Sequence, residues 1–301
     1  MEKPLYVLIM AGGEGTRFYP VSTPERPKQF LSFFGGRTFI QQTYDRILPI
    51  AHPARIIVAT NSRYTKLVRS QLPAILSSNI IPEPFKKNTA PSIAYAARMI
   101  IEAEEDAVML VLPSDHLIEK EEEFRKVIER AIYVASEREV LVTLGIRPTW
   151  PADCYGYLRL GKMIEDDVEG RHAYIVDAFV EKPSVAVAEG YLKDGNYLWN
   201  SGMFVWQAHF ILSEIKNHLP SLYALADKYV PKKRIKKFFE EAESISIDYG
   251  VMERSDRVVT LPCDIGWHDV GTWEGLYNIA QKGNFKLDPR VEEAMRAQLR
   301  L

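Results

Sequence analysis

The sequence predicts an α/β protein built on an open, mostly parallel sheet flanked by helices. Three observations carry that expectation. Short β-branched runs alternate with helix-period segments through the first half. Those runs are apolar at nearly every position, as strands covered on both faces must be. A glycine-rich turn, "AGGEG", directly follows the first run. Such alternation builds right-handed crossovers, and ligands of such sheets gather at the carboxyl ends of the strands.

The expected strands are "LYVLIM" (5–10), "RIIVAT" (55–60), "AVMLVLP" (107–113) and "VLVTLGI" (140–146). Between them Ile93, Ala96, Ala97, Ile100 and Ile101 recur at helical spacing, as do Phe124, Val127, Ile128, Ala131, Ile132 and Ala135. Thr38 is placed to cap a helix through "FIQQTYDRIL". The second half is a mixed α/β subregion. "YGYLRL", "AYIVDAFVEKP" and "GMFVWQ" read as strands, with helices near 184–193 and 209–218. Val291, Ala294, Met295 and Leu299 define a short amphipathic helix near the end. No Gly/Pro/Ser-rich linker divides the chain, so residues 1–280 read as one unit and 281–301 as a short helical tail.

The 301 residues carry a net charge of −2, from 38 basic and 40 acidic side chains. No global field therefore draws the protein to nucleic acid or to a membrane surface. The "LYVLIM" run is too short for a membrane span or a signal-peptide core, and a cytoplasmic protein is expected. Cys154 and Cys263 stand alone, without the spacing of a zinc site or a disulfide framework. The basic run "KKRIKK" (232–237) reads as a solvated helix face.

The chemistry is concentrated after the first strand, in "AGGEGTRFYPVSTPERPKQF" (11–30). Gly12, Gly13 and Gly15 allow a tight turn whose N–H groups form an anion-binding concavity. Arg17 and Lys28 bracket it with positive charge. The turn lacks the ending of a Walker loop and the spacing of a dinucleotide fingerprint. Alone it would read as a plain turn with a surface arginine. The lysine in the proline-stiffened "RPKQF" segment, able to fold back on the same phosphates, favours a triphosphate cradle.

Two aspartates are candidate metal ligands. Asp115 in "VLPSDH" ends a buried strand, and Asp269 in "GWHDVG" lies in a glycine-flanked loop. By position alone each reads equally as a turn or cap residue. Asp264 is a lesser rival, and His116 and His268 do not complete a tetrahedral zinc set. In "FVEKP", Glu181 is suited to accept from sugar hydroxyls and Lys182 to pair with a sugar phosphate, although an exposed ion pair is the plainer reading. Asn200 in "WNSGMF" offers a donor and an acceptor, while Gly202 and Gly156 leave room for a ring. Trp199 and Phe204 read as core. Asn88 and Thr89 in "KKNTAP" open a helix, and as chemistry alone they are N-caps.

The motif "AGGEGTRFYPVSTPERPKQF" resembles the signature of sugar-phosphate nucleotidylyltransferases, and "PKQF" is similar in particular to the mannose-1-phosphate guanylyltransferases among them. The resemblance continues in order through "EPFKKNTAPSIAYAA", "VLPSDH", "YGYL", "FVEKP", "YLWNSGMFVW", "ISIDYGVME" and "DIGWHDVGTW", covering roughly residues 5 to 280. It implies a Rossmann-like nucleotidyltransferase fold and the reaction GTP + α-D-mannose 1-phosphate → GDP-mannose + pyrophosphate. By the same resemblance Arg17, Lys28 and Lys182 are catalytic. Ala11, Gly12, Gly13, Gly15, Thr16, Asn88 and Ser114 contact the nucleotide, and Gly156, Glu181, Asn200 and Gly202 line the hexose pocket. Asp115 and Asp269 are expected to hold Mg²⁺ or another divalent cation. The alternatives are another hexose or heptose 1-phosphate, or a silent subunit that senses nucleotide sugars. A homodimer is allowed. Many members of the family continue into a β-helix or a cupin-like isomerase domain, and neither is expected in the helical tail here. Gly250 stands where the resemblance predicts alanine.

Overall fold

The computed structural model describes residues 3–164, 172–282 and 285–301. Its strands are β1 (Leu5–Ala11), β2 (Ile56–Asn61), β3 (Ile80–Glu83), β4 (Val108–Pro113), β5 (His116–Ile118), β6 (Leu141–Ile146), β7 (Tyr157–Ile164), β8 (Ala173–Val180), β9 (Tyr197–Gln207), β10 (Val258–Cys263) and β11 (Trp267–Asp269). The helices are α1 (Phe39–Ile47), α2 (Thr65–Gln71), α3 (Thr89–Ala103), α4 (Glu121–Glu137), α5 (Val185–Asp194), α6 (Ala208–His218), α7 (Pro220–Tyr229), α8 (Ile235–Glu241), α9 (Trp273–Lys282) and α10 (Pro289–Leu299).

Among the described residues, nine strands form one sheet in the order β3-β2-β1-β4-β9-β6-β10-β8-β7. The α/β class holds, and the sheet is mixed. Strands β3, β2, β1 and β4 run parallel, as do β6 and β10. The long strand β9 enters antiparallel between β4 and β6, and β8 and β7 add antiparallel neighbours beyond β10. Because β9 also pairs with β7, the second half of the sheet curls back on itself.

Residues of β1 alternate between two cores. Val7 and Ile9 pack with α1, α2 and α4, whereas Leu8 faces α3, α6, α7 and α8. Both faces are thus dry, which is why β1, β2 and β4 read as unbroken apolar runs. A third cluster joins Phe18, Phe33, Phe39 and Leu117 to Trp273, Leu276, Val291 and Met295. Through it α9 and α10 brace the segment that carries Arg17 and Lys28. The start of the expected tail includes residues 283 and 284, which lie outside the described residues; from Pro289 onward it is helical.

The lysines and the arginine of the 232–237 run are exposed, and both cysteines are free. Gly250 lies in a turn of π-helix (Asp248–Met252). A Cβ there would come within 2.8 Å of Leu219 Cδ1, so the neighbouring leucine occupies the space an alanine would need. Among the described residues no helix is long and apolar enough to cross a membrane.

Candidate active site

The glycine turn leaves the carboxyl end of β1 and is pinned from beneath. Gln29 Nε2 donates to the carbonyls of Ala11 at 3.0 Å and Gly13 at 2.7 Å. Thr60 Oγ1 donates to Ala11 O at 2.9 Å. These contacts consume carbonyl oxygens only, leaving the N–H groups of the turn for an anion. Gly15 takes φ +55°, and a Cβ on it would lie 2.5 Å from the Lys28 amide nitrogen. The turn can therefore lie against the lysine segment only as glycine. Thr16 and Arg17 follow on the exposed side.

Lys28 sits on a short 3₁₀ turn after Pro27, with its side chain only 3% exposed. Its Nζ lies 3.2 Å from Asp115 Oδ2 and 3.9 Å from Asp269 Oδ1. The rings of Phe39 and Phe18 flank it, with centroids 5.1 Å and 6.0 Å from the ammonium. Asp115 follows buried Ser114, whose amide donates to Met10 O at 3.1 Å and so ties the loop after β4 to β1.

Asp269 reaches the same place through a separate two-stranded ladder. Strands β11 and β5 pair antiparallel, setting Asp269 opposite His116, next to Asp115 in the chain. Burial by itself pushes the Asp115 carboxyl up, but Lys28, His116 and Arg17 together outweigh it and hold the group below the usual carboxylate range. Burial pulls His116 down against the opposing pull of Asp269 and Asp115. Trp267 Nε1 donates to His116 Nδ1 at 3.1 Å, which leaves the ring proton of a neutral imidazole on Nε2, 4.0 Å from Asp269 Oδ1.

Arg17 joins the group from the far side of the turn: a Cβ on Gly271 would lie 3.1 Å from its Nη1, placing the guanidinium against the loop that follows Asp269. The other candidates point elsewhere. Asp264 pairs with Lys120 at 2.5 Å, and His268 Nε2 meets Glu119 Oε1 at 2.5 Å. Among the described residues no set of three or more His, Cys, Asp or Glu gathers as a metal cage.

The hexose-side candidates converge on a second cluster. Glu181 and Lys182 follow the end of β8, their side chains paired, and Lys182 holds φ +49°. The Glu181 carboxylate lies directly over Gly156, where a Cβ would collide with it. Asn200, on β9, is largely engaged within the fold. Its Oδ1 accepts from Thr143 Oγ1 at 2.8 Å and from Gly202 N at 3.3 Å, and its Nδ2 donates to Asp248 Oδ1 at 2.9 Å. One Nδ2 hydrogen remains for a ligand.

Burial, reinforced by Glu181, pushes the Asp248 carboxyl up to about 7. Gly202, at φ +70°, lies beside Pro113 at the end of β4, so this cluster abuts the acidic pair. Tyr155 bridges the two, with ring centroids 5.1 Å from Trp199 and 5.2 Å from Trp267. Trp199 and Phe204 are buried core residues, as expected.

Asn88 acts as an N-cap, its Oδ1 accepting from Thr89 N at 3.0 Å, and it holds an unusual φ of +64°. Glu83, at the end of β3, carries no signal of its own in the sequence, although it opens the "EPFKKNTAP" motif. Burial pushes its carboxyl up to about 7, partly offset by the Ser92 hydroxyl, which donates at 2.5 Å. Its other oxygen lies 3.0 Å from where a Gly12 Cβ would sit, so the carboxyl underlies the glycine turn. Gln29, Thr143 and Asp248 likewise escape sequence reasoning. They lie inside or beside quoted motifs, but their partners are far away in sequence.

Known proteins resemble this chain in sequence and in fold. A family model described as nucleotidyl transferase matches residues 6–284. A mannose-1-phosphate guanylyltransferase of Sinorhizobium fredii is 39% identical over 280 residues, covering 89% of this chain and 54% of the relative. One of Salmonella typhimurium is 40% identical over 287 residues, covering 91% and 58%. The chain thus spans somewhat more than half the length of these curated relatives. A crystal structure from Thermus thermophilus, described as a mannose-1-phosphate geranyltransferase, superposes with a TM-score of 0.84 at 32% identity, covering 94% of this chain and 80% of that one. Matched from the first strand to beyond α9, the chain belongs to the nucleotidyl transferase family.

Proposed function

We propose that the protein transfers GMP from GTP to α-D-mannose 1-phosphate, giving GDP-mannose and pyrophosphate. The observation that most supports this is the convergence of Lys28, Asp115 and Asp269 at the mouth of the glycine turn. Similarity to proteins named mannose-1-phosphate guanylyltransferase favours the guanine and mannose specificities. Residues 1–280 act as the catalytic unit, and the helical tail braces its phosphate loop.

A phosphate oxygen of the sugar phosphate attacks the α-phosphorus of GTP, the bond to the β-phosphate bridging oxygen breaks, and pyrophosphate leaves. The nucleophile is already ionised at neutral pH, so no general base is needed. The obstacle is repulsion between two polyanions, met by positioning and charge neutralisation. The turn amides of Gly12, Gly13 and Gly15, with Arg17 and Lys28, hold the departing phosphates. Lys182 holds the incoming phosphate and Glu181 the sugar hydroxyls. Thr143 and Asp248 keep the Asn200 amide in one orientation beside them.

The acidic pair fits a magnesium ion. Mg²⁺ commonly takes one or two carboxylates and completes its shell with substrate phosphates and water, and here two carboxylates already share a cation, the Lys28 ammonium. Asp115 and Asp269 would hold the ion, which would supply further neutralisation of phosphate charge. We infer that the Glu83 oxygen not bonded to Ser92, beneath Gly12, accepts from the donor edge of guanine.

The test is pyrophosphate release across a matrix of nucleoside triphosphates and hexose 1-phosphates, with and without Mg²⁺. The expected result is the highest kcat/KM for GTP with mannose 1-phosphate, and dependence on the metal. A higher value for another pair would overturn the assigned specificity, and no release with any pair would overturn the activity.

A further inference from the structure

The turn that carries Glu181 and Lys182 is held in an uncommon backbone conformation. Lys182 takes φ +49° directly before Pro183. A non-glycine residue seldom enters that region, and a residue preceding proline is biased toward extended backbone. Such a conformation persists only where its surroundings fix it. On one flank the Glu181 side chain, 8% exposed, lies over Gly156 and pairs with Lys182. On the other, the Glu181 amide donates to Glu253 Oε1 at 2.8 Å, across 72 positions of sequence.

The backbone of Glu253 is firmly anchored. The residue closes the π-helix turn (Asp248–Met252), its amide donating to Asp248 O at 2.9 Å. Val251 and Met252, directly before it, are buried. Upstream, the same segment is tied to the opening of α3. Ile245 N donates to Lys87 O at 3.2 Å, Ala90 N to Ile245 O at 3.1 Å, and Ile247 N to Thr89 Oγ1 at 2.8 Å. One short segment thus reaches the hexose-side cluster twice, through Asp248 to the side-chain amide of Asn200 and through Glu253 to the backbone amide of Glu181.

We propose that Glu253 is a positioning residue for the sugar phosphate. By accepting from the Glu181 amide it holds the turn that aims Lys182 at the incoming phosphate and Glu181 at the sugar hydroxyls. It acts through that turn and not by contact with substrate. The role rests on the transfer reaction proposed above.

The test is steady-state pyrophosphate release by the full chain, varying mannose 1-phosphate at saturating GTP and GTP at saturating mannose 1-phosphate. Glu253 is exposed, so Glu253→Ala opens no cavity in the core. It should raise KM for mannose 1-phosphate about five- to tenfold, as loss of one hydrogen bond to a charged acceptor at an exposed site implies, and leave KM for GTP within about twofold. Glu253→Gln keeps an acceptor oxygen and should raise the sugar-phosphate KM by no more than about threefold. Should the alanine variant fail to fold, Glu253→Asp shortens the reach by one methylene, with an expected rise of about threefold. An unchanged sugar-phosphate KM in a folded alanine or aspartate variant would overturn the role of Glu253 and leave the reaction standing. So would an equal rise in both KM values, the mark of a merely structural residue, or a glutamine variant no better than alanine. Wild-type protein that releases no pyrophosphate from this pair would instead overturn the reaction, and the role with it.

Discussion

Lys28 Nζ donates to Asp115 Oδ2 at 3.2 Å across 87 positions of sequence, from a side chain that is almost wholly buried. A buried ammonium held between two carboxylates is an electrostatic device already assembled before substrate arrives. Its geometry is set by the Pro27 turn and by the packing of Phe18 and Phe39. Such preorganised charge counts most where phosphate charge is redistributed. Lys28→Ala is expected to lower kcat by about 10²–10³. The loss of stability should be smaller, about 1–3 kcal/mol, because Asp115 is 33% exposed and water can solvate it. Pyrophosphate release and urea unfolding on the same preparation check both numbers. An unchanged rate in a folded variant removes Lys28 from the mechanism.

Asp115 and Asp269 arrive on different segments, one after β4 and one in β11, joined by the β11–β5 ladder. Asp115→Asn and Asp269→Asn keep the shape and remove one charge each. Both should raise the Mg²⁺ concentration for half-maximal rate by about tenfold or more, as loss of a charged hard-oxygen ligand would. Asp264→Asn, at a side chain bonded to Lys120 and the Gly266 amide and away from the Lys28 cluster, should leave that concentration unchanged. Equal metal dependence in all three variants would remove the aspartate pair as the binding site.

The legibility of this chain in sequence follows its physics. Strands β1, β2, β4 and β6 are apolar on both faces, so each reads as an unbroken run. Strand β3 has four residues and includes a proline, while β5 and β11 have three each and mix polarities. Only a tertiary ladder defines those last two. The glycine turn, Lys28 and Asp115 stand in dense local motifs and are legible. Asp248 is not, because its meaning lies in a contact to Asn200 across 48 positions. Gln29 stands within "PKQF", yet nothing local shows that its amide holds the turn 16 and 18 residues earlier.

Asp248 gives a pH prediction. Its carboxyl, near 3.8 when unfolded, is pushed up to about 7 in the fold, chiefly by burial and then by Glu181. The native state therefore binds the proton more tightly than the unfolded chain. This group's contribution is fully present below about 4 and is lost as pH rises through about 7. Asp248→Asn mimics the protonated form and keeps an acceptor for Asn200. Relative to wild type it should gain about 2–4 kcal/mol of stability between pH 5 and 8, at roughly 1.4 kcal/mol per pKa unit. Chemical denaturation of both proteins at intervals across that range reads the difference. Parallel stability curves would show that the carboxyl titrates alike in both states.

Glu83 offers a test of base recognition that leaves the phosphate chemistry alone. One of its oxygens accepts from Ser92, and the other lies under Gly12, at the root of the turn. Guanine presents two donors and one acceptor on its Watson–Crick edge, whereas adenine presents one donor there. As the carboxylate, that second oxygen is an acceptor beneath the turn, and on the proposed reading it would favour guanine. Glu83→Gln keeps size and burial and exchanges one acceptor oxygen for a donor amide. The ratio of kcat/KM for GTP over ATP should fall by about 10- to 100-fold, the range of one to two hydrogen bonds to a buried polar edge. The rate with GTP should fall more than unfolding stability does, since Gln can still accept from the Ser92 hydroxyl. Were the ratio unchanged, base selection would rest with other groups, the backbone around Asn88 first among them, whose φ of +64° marks a constrained segment.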